Sequence, residues 1–160
     1  SFSLDKLSFA LGFKGERPDK VWKEGPDNLW AINDVDYILW ECKNDALPNK
    51  AKIDKREAEQ MNRSCAWFAK HYNGGKAVNI IVHPSNNLES AGAFLSDVLV
   101  LKEKALNRLK SQISKFFKTF EHQDFKDLSE RHINENLIAY DLIASKLVED
   151  FTVAVRDHKD

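Results

Sequence analysis

The chain has 160 residues, 42% of them hydrophobic, which is enough for one domain with a hydrophobic core. Its 24 Lys and Arg residues and 25 Asp and Glu residues leave a net charge of −1. The protein as a whole therefore does not attract nucleic acid, and any such binding must come from local clusters. Two cysteines are too few for a disulfide framework, and no apolar run approaches the roughly 20 residues of a membrane span. We therefore expect a cytoplasmic protein that has no membrane partner.

The first third of the chain predicts a short helix, a loop and a β-hairpin. The helix is indicated by four apolar residues that precede Gly12, namely Leu4, Leu7, Phe9 and Leu11. Residues 14–25 are rich in Gly, Pro and charge and predict a loop. Residues 29–32 and 35–43 predict two strands, joined by a turn at Asn33 and Asp34. Residues 37–40 are apolar on both faces, which predicts a central strand covered on both sides.

Three charged residues are expected to meet at the open end of this hairpin. The turn lies midway between Asp27 and Glu41, so antiparallel pairing brings the two carboxylates together. Side chains alternate along a strand, so Glu41 and Lys43 share one face. Charges at the end of a buried strand are costly unless they are paired or used. The alternative is a surface hairpin with ordinary charges, because each half of this pattern is common by itself.

This arrangement of charges suits a divalent metal ion held over a phosphodiester. Mg²⁺ prefers oxygen ligands, and Asp27, Glu41 and the backbone carbonyl of Cys42 can supply three of them. Lys43 can hold the attacking water or stabilise developing negative charge. The residues therefore predict a Mg²⁺ site, at which we expect Mn²⁺ to substitute.

The next predicted element is a helix over residues 53–72, with Asp54 as its N-cap. Its apolar positions step by three and four, and they are Ala58, Met61, Cys65, Phe68 and Tyr72. Gln60 borders this apolar stripe, where a polar side chain can face the site. Five basic residues in or just before the first turns are candidates for binding a DNA backbone, namely Lys50, Lys52, Lys55, Arg56 and Arg63. The alternative is a solvated helix face, because acidic neighbours partly cancel the charge.

Beyond this helix the pattern predicts a strand over residues 77–82 and a helix over residues 88–95. Val98–Leu101 fits either a strand or the start of the next helix. The final third predicts an antiparallel helix pair, because two apolar stripes are joined by a short link. The stripes are Leu106, Leu109, Ile113, Phe116, Phe117 and Phe120, then Ile133, Leu137, Tyr140, Ala144, Leu147 and Phe151. We expect an α/β core at 1–101 and a helical extension at 102–160, which either packs inside the domain or binds a partner, such as a second copy of the chain.

Three motifs together resemble the PD-(D/E)xK, or restriction-endonuclease-like, nuclease superfamily. They are Pro26-Asp27, then Glu41-Cys42-Lys43, then the helix that bears Gln60. The residues around them look like the nuclease modules that are appended to helicase-type proteins in bacteria, and the likeness covers about residues 11–84. It implies a central mixed β-sheet flanked by helices and Mg²⁺-dependent cleavage of DNA, which we expect to be endonucleolytic.

The resemblance also implies a role for each site residue. Asp27 and Glu41 would bind the metal, Lys43 would act on the water, and Gln60 would assist from the helix. Many members of the superfamily add an acid from the first helix.

For that further acid the nearby choices are Asp5 and Glu16. The near-zero net charge predicts weak DNA binding by the chain alone, so we expect a helicase or other ATPase domain to deliver the DNA. The chain shows no Gly-rich phosphate-binding loop, so any ATP hydrolysis is expected on another polypeptide or another part of the full chain. Two other interpretations remain open. One is a catalytically inactive nucleic-acid-binding or protein-docking module with the same fold, and the other is a nuclease that acts on RNA.

Overall fold

The computed structural model describes residues 14–16, 24–43, 50–123, 129–140 and 142–157. Its strands are β1 Lys14–Glu16, β2 Asn28–Ala31, β3 Asp36–Cys42, β4 Lys76–Val82, β5 Asn87–Leu88, β6 Val98–Leu101, β7 Val153–Ala154 and β8 Arg156–Asp157. Within this part of the chain, six strands form a mixed sheet in the order β1-β2-β3-β4-β6-β7, and β5 pairs with β8. Strands β3, β4 and β6 are parallel, and the other neighbours in the large sheet are antiparallel.

The predicted hairpin is present as strands β2 and β3, which pair in antiparallel register from Asn28 opposite Trp40. Its turn is closed by the Ile32 N–H, which donates to the Asp36 carbonyl at 2.9 Å. The Asn33 side chain accepts from the Val35 and Asp36 N–H groups at 2.9 and 2.8 Å, as is typical of Asn in turns. The predicted loop at 14–25 was wrong at its start, where β1 extends the hairpin by pairing with β2.

A helix of 17 residues, α1 Lys55–His71, follows β3 and leads to β4. It begins with a capping box, in which the Asp54 side chain accepts from the Glu57 N–H and the Glu57 side chain accepts from the Asp54 N–H. It is followed by Gly74, whose φ of 79° lies in the left-handed region that favours glycine. The structure therefore confirms the predicted helix and its predicted N-cap.

The sheet is buried on both faces in its central strands. On one face, Leu39 and Ile81 belong to the same buried cluster as Met61 of α1, and all three are fully buried. On the other face, Trp30 and Trp40 are also fully buried, with ring centroids 4.7 Å apart. Burial on both faces of β3 confirms the central strand that its apolar run predicts.

The predicted helix over residues 88–95 was wrong. Leu88 instead lies in strand β5 and forms a parallel bridge with Ile53. The Ile53 N–H donates to the Asn87 carbonyl at 2.6 Å, and the Glu89 N–H donates to the Ile53 carbonyl at 2.9 Å. These long-range hydrogen bonds occupy the backbone groups that a helix would need, so tertiary pairing overrides the apolar spacing. Val98–Leu101, which the sequence left open, is strand β6.

The chain divides into two compact units, Ser1–Glu103 with Val153–Asp160, and Lys104–Thr152. The described part of the second unit contains three helices rather than the predicted antiparallel pair: α2 Glu103–Thr119, α3 Glu130–Ala139 and α4 Ala144–Phe151. The second apolar stripe is interrupted because Tyr140 caps α3 and Ile143 is extended, with ψ of 150°. After α4 the chain returns to the first unit, where β7 pairs with β6.

The mixed sheet and its helices confirm the predicted α/β class. Across the described residues, no helix is long and apolar enough to cross a membrane.

Candidate active site

The predicted acidic pair lies at the carboxyl edge of the parallel strands, where open α/β sheets commonly bind ligands. Glu41 is near the end of β3, and the register of the hairpin places Asp27 opposite it, one position beyond the Asn28–Trp40 pair. Asp27 accepts a hydrogen bond from the Cys42 N–H at 2.7 Å through Oδ2. Gly25, with φ of 94°, and the buried Pro26 set the direction in which the chain enters this edge.

Glu41 is fully buried, and polar groups surround its carboxyl group. The Ser64 hydroxyl donates to Oε1. The Gln60 amide donates from Nε2 to Oε2 at 3.4 Å, and the Lys43 ammonium lies 3.7 Å from the same oxygen. One buried carboxyl group is therefore contacted from its own strand and from α1.

Gln60 connects Glu41 of β3 with Lys43, which follows the strand. Its Oε1 accepts from the Lys43 ammonium at 2.5 Å, while its Nε2 donates to Glu41. This use of both ends of the amide fixes its orientation. The Lys43 side chain is 11% exposed, so the ammonium is held at the rim of the site rather than in bulk water.

The two carboxyl groups crowd negative charge into a buried place. The pKa of Glu41 rises from 4.5 to about 7, first because of burial and second because of the Asp27 charge. Hydrogen bonding to Asp27 also raises this pKa, whereas the Ser64 hydroxyl and the Lys43 ammonium lower it. This crowding favours a bound positive charge beside the two carboxyl groups, either a proton or a cation.

The donor set fits a hard divalent cation that takes oxygen ligands. The two carboxyl groups lie together. The N–H and the C=O of one strand residue point the same way. Because the Cys42 N–H donates to Asp27, the Cys42 carbonyl lies on the same side of β3 as this pair. Among the residues that the structure describes, no group of three or more His, Cys, Asp and Glu side chains could hold a metal. Of the choices for a further acid, Asp5 and the side chain of Glu16 lie outside the described part.

The five predicted DNA-binding cations differ in their contacts with acids. Lys50 contacts two carboxylates, Asp54 and Glu57, each at 2.6 Å. Lys55 lies 3.8 Å from Glu59 on the exposed side of α1. Since acids already offset Lys50 and Lys55, these two have less charge left for phosphate groups.

The other three cations, Lys52, Arg56 and Arg63, are exposed. Arg63 alone among the five lines a cleft that also includes the site residues Gln60 and Ser64.

A second polar cluster stabilises the start of α1. His83 is 2% exposed, and its Nε2 lies 3.2 Å from Glu57 Oε1, which Lys50 also contacts. Its Nδ1 lies 2.9 Å from the Ser85 backbone nitrogen and 3.0 Å from the Ser85 carbonyl oxygen, so both ring nitrogens have hydrogen-bond partners. This geometry agrees with a structural role for His83.

The sequence did not identify Ser64 as a site residue. In the structure it is buried and donates to the catalytic candidate Glu41. A signal was present, because Ser64 follows Gln60 by four positions and therefore lies on the same face of the helix. Position alone does not separate a serine that contacts a site from a serine that is only buried in the core.

Comparisons of the chain with protein-family models, with curated proteins and with solved structures found no match.

Proposed function

We propose that this chain is a metal-dependent deoxyribonuclease that hydrolyses phosphodiester bonds in DNA. The observation that carries the proposal is the meeting of the Asp27 and Glu41 carboxyl groups with Lys43 and Gln60 at one edge of the sheet. The proposal is endonucleolytic cleavage with Mg²⁺, for which Mn²⁺ substitutes. The motif resemblance to PD-(D/E)xK nucleases agrees with this choice of reaction.

Asp27, Glu41 and the Cys42 carbonyl would hold the metal ion through oxygen atoms. When bound, the ion would polarise the phosphate group and favour ionisation of a nearby water. The raised pKa of Glu41 supports this assignment, because a cation beside the carboxyl pair would offset both the cost of burying the Glu41 charge and its repulsion by Asp27.

Lys43 and Gln60 would position the nucleophile and stabilise charge. The Lys43 ammonium has three donors, and the Gln60 oxygen and the Glu41 carboxyl group orient it from two sides. Among the described residues the third donor has no partner, and it would serve an attacking water or a non-bridging phosphate oxygen. Gln60 is thus a positioning residue that sets the direction of the ammonium group.

Delivery of the DNA would come from a partner. The chain carries a net charge of −1, and two of its candidate cations already contact acids, so its own attraction for DNA is weak. We propose that it acts in the cytoplasm as a module beside a helicase or other ATPase domain. Binding of the isolated chain to duplex DNA at nanomolar affinity in physiological salt would contradict this part.

The test is nicking of supercoiled plasmid DNA with Mn²⁺ and with Mg²⁺, run beside a structured RNA. Glu41→Gln and Lys43→Met keep the side-chain volumes and should reduce cleavage by about 100-fold or more. Glu59→Gln is the matched control, because Glu59 is an exposed acid of α1 that contacts only Lys55 among the described ion pairs. Thermal unfolding of each variant shows that it is folded.

Cleavage lost in the two site variants and retained in the control supports the proposal. Cleavage that persists in Glu41→Gln and Lys43→Met refutes this site. A folded protein that binds DNA without cleaving it in either metal is the behaviour of an inactive binding module, and cleavage of RNA alone assigns a ribonuclease.

A further inference from the structure

A cleft of about 400 Å³ opens beside the carboxyl pair, within the range of volumes that proteins use for small ligands. It lies between the turn that precedes β2 and one face of α1. Among the described residues, those that line it are Glu24, Gly25, Gln60, Arg63, Ser64 and Trp67. Gln60 and Ser64 also contact Glu41, so whatever fills the cleft lies next to the reacting groups.

Arg63 gives this cleft a cation that can bind an anion. It follows Gln60 by three positions and precedes Trp67 by four, so all three share one face of α1. Within the described ranges no carboxylate lies within 4.0 Å of its guanidinium, in contrast to Lys50 and Lys55. A guanidinium is also the side chain best shaped to bind a phosphate with two parallel hydrogen bonds.

Trp67 supplies a fixed apolar wall. The residue is 9% exposed, and His71 stacks on its indole with ring centroids 4.5 Å apart and planes 23° apart. Tyr72 lies against the same ring system at 5.9 Å. An indole held on these sides cannot rotate freely, so it presents a constant apolar surface to the cleft at little entropic cost.

We infer that this cleft binds one unpaired nucleotide of the substrate strand, next to the scissile phosphate, with its neighbouring phosphate on Arg63 and its sugar and base against Trp67. The inference rests on the proposed nuclease function and adds the substrate class, a single strand at the point of cleavage. Glu24, an exposed acid on the same cleft, repels phosphate and therefore directs it toward Arg63. A base pair needs more width than one nucleotide, so a duplex must open to enter.

The test uses a fluorescein-labelled 12-nucleotide thymidine strand, with binding measured by fluorescence anisotropy in EDTA and cleavage measured with Mn²⁺. Arg63→Ala should weaken binding by about tenfold or more, the range of a charged hydrogen bond. It should also raise KM with little change in kcat. The slope of log Kd against log salt should fall by the amount that corresponds to the loss of roughly one phosphate contact. Arg63→Lys should restore part of the affinity.

Lys70→Ala is the matched control, because Lys70 is an exposed cation of the same helix that does not line the cleft and is not a DNA-binding candidate. It should change Kd by no more than about twofold.

Each outcome decides a different question. If the wild type binds and cleaves the strand and Arg63→Ala behaves like Lys70→Ala, the cleft assignment is overturned and the nuclease proposal stands. Tighter binding of the matching duplex than of the single strand also overturns the inference. Binding that depends on Arg63 without any cleavage supports the cleft and refutes turnover. A wild-type chain that neither binds nor cleaves the strand overturns the inference, and plasmid nicking by the same sample decides whether the nuclease proposal stands.

Discussion

The buried Glu41 carboxyl group should make the metal-free protein less stable at neutral pH than at pH 5. Its pKa rises from 4.5 to about 7 in the folded state, so between these values the folded protein holds a proton that the unfolded chain has released. Stability therefore falls as pH rises through this window. At about 1.4 kcal/mol for each pKa unit, the loss in the free energy of unfolding approaches about 3 kcal/mol at pH 8.

Glu41→Gln isolates this contribution, because glutamine keeps the size of the side chain and has no charge to lose. Ser64 can still donate to the amide oxygen, whereas the new NH₂ group faces the Gln60 amide nitrogen. We therefore expect a gain of about 1–3 kcal/mol at pH 8 and little gain at pH 5. Such a gain would follow the usual conflict between stability and function at active sites.

The assay is urea unfolding followed by tryptophan fluorescence in EDTA, at pH 5 and pH 8. Glu59→Gln, on the exposed side of α1, serves as the control and should change neither value by more than about 0.5 kcal/mol. Added Mn²⁺ at 100 times its Kd should then stabilise the wild type by about 2.7 kcal/mol and leave Glu41→Gln nearly unchanged. A variant that is less stable than the wild type at pH 8 would refute the reasoning, since the contacts of the folded site would then favour the charged carboxylate despite its burial.

Three further predictions concern the packing around the site. Burial, and second the Glu41 charge, raise the pKa of Cys65 from 9.0 to about 11. At pH 8, iodoacetamide should therefore modify Cys65 about 100-fold more slowly in the folded protein than in the protein unfolded by urea, as measured by peptide mass spectrometry. Burial raises the pKa of Glu57, but the hydrogen bond from Lys50 and its other contacts bring it below 4.5. The stability that Glu57 contributes is thus lost as pH falls below 4.5, and Glu57→Gln should make the melting temperature less dependent on pH between 5 and 3. Met61 is fully buried, and Met61→Ala should cost about 2–5 kcal/mol of unfolding free energy in urea, whereas a change below 1 kcal/mol would contradict its place in the core.

Local chemistry made the hairpin and the first helix predictable. The turn residues Asn33 and Asp34 set the register, and register alone brings Asp27 opposite Glu41. The Asp54 cap and the glycines after residue 73 similarly bound α1 without reference to the rest of the chain. The geometry of the candidate site was therefore accessible from sequence, because its main residues belong to neighbouring elements with short connections.

Long-range contacts decided the features that the pattern predicted wrongly or left open. The apolar spacing around Leu88 suits a helix, but its backbone instead forms a parallel β-bridge with Ile53. The chain after Phe151 returns to the sheet as β7, although the sequence predicts a helical extension over residues 102–160. Both outcomes depend on hydrogen-bond partners far along the sequence, which periodicity does not contain.

The sequence by itself determined the α/β class, the hairpin register and the meeting of two acids with Lys43, because turn chemistry, alternation and capping act over a few residues. Only the tertiary structure decided how each charge is used. It offset Lys50 with Asp54 and Glu57 while leaving Arg63 at a cleft beside the carboxyl pair. It also buried Glu41 under Ser64. The reason is that desolvation and ion pairing depend on neighbours in space, and these set both the pKa values and the charge available to a ligand.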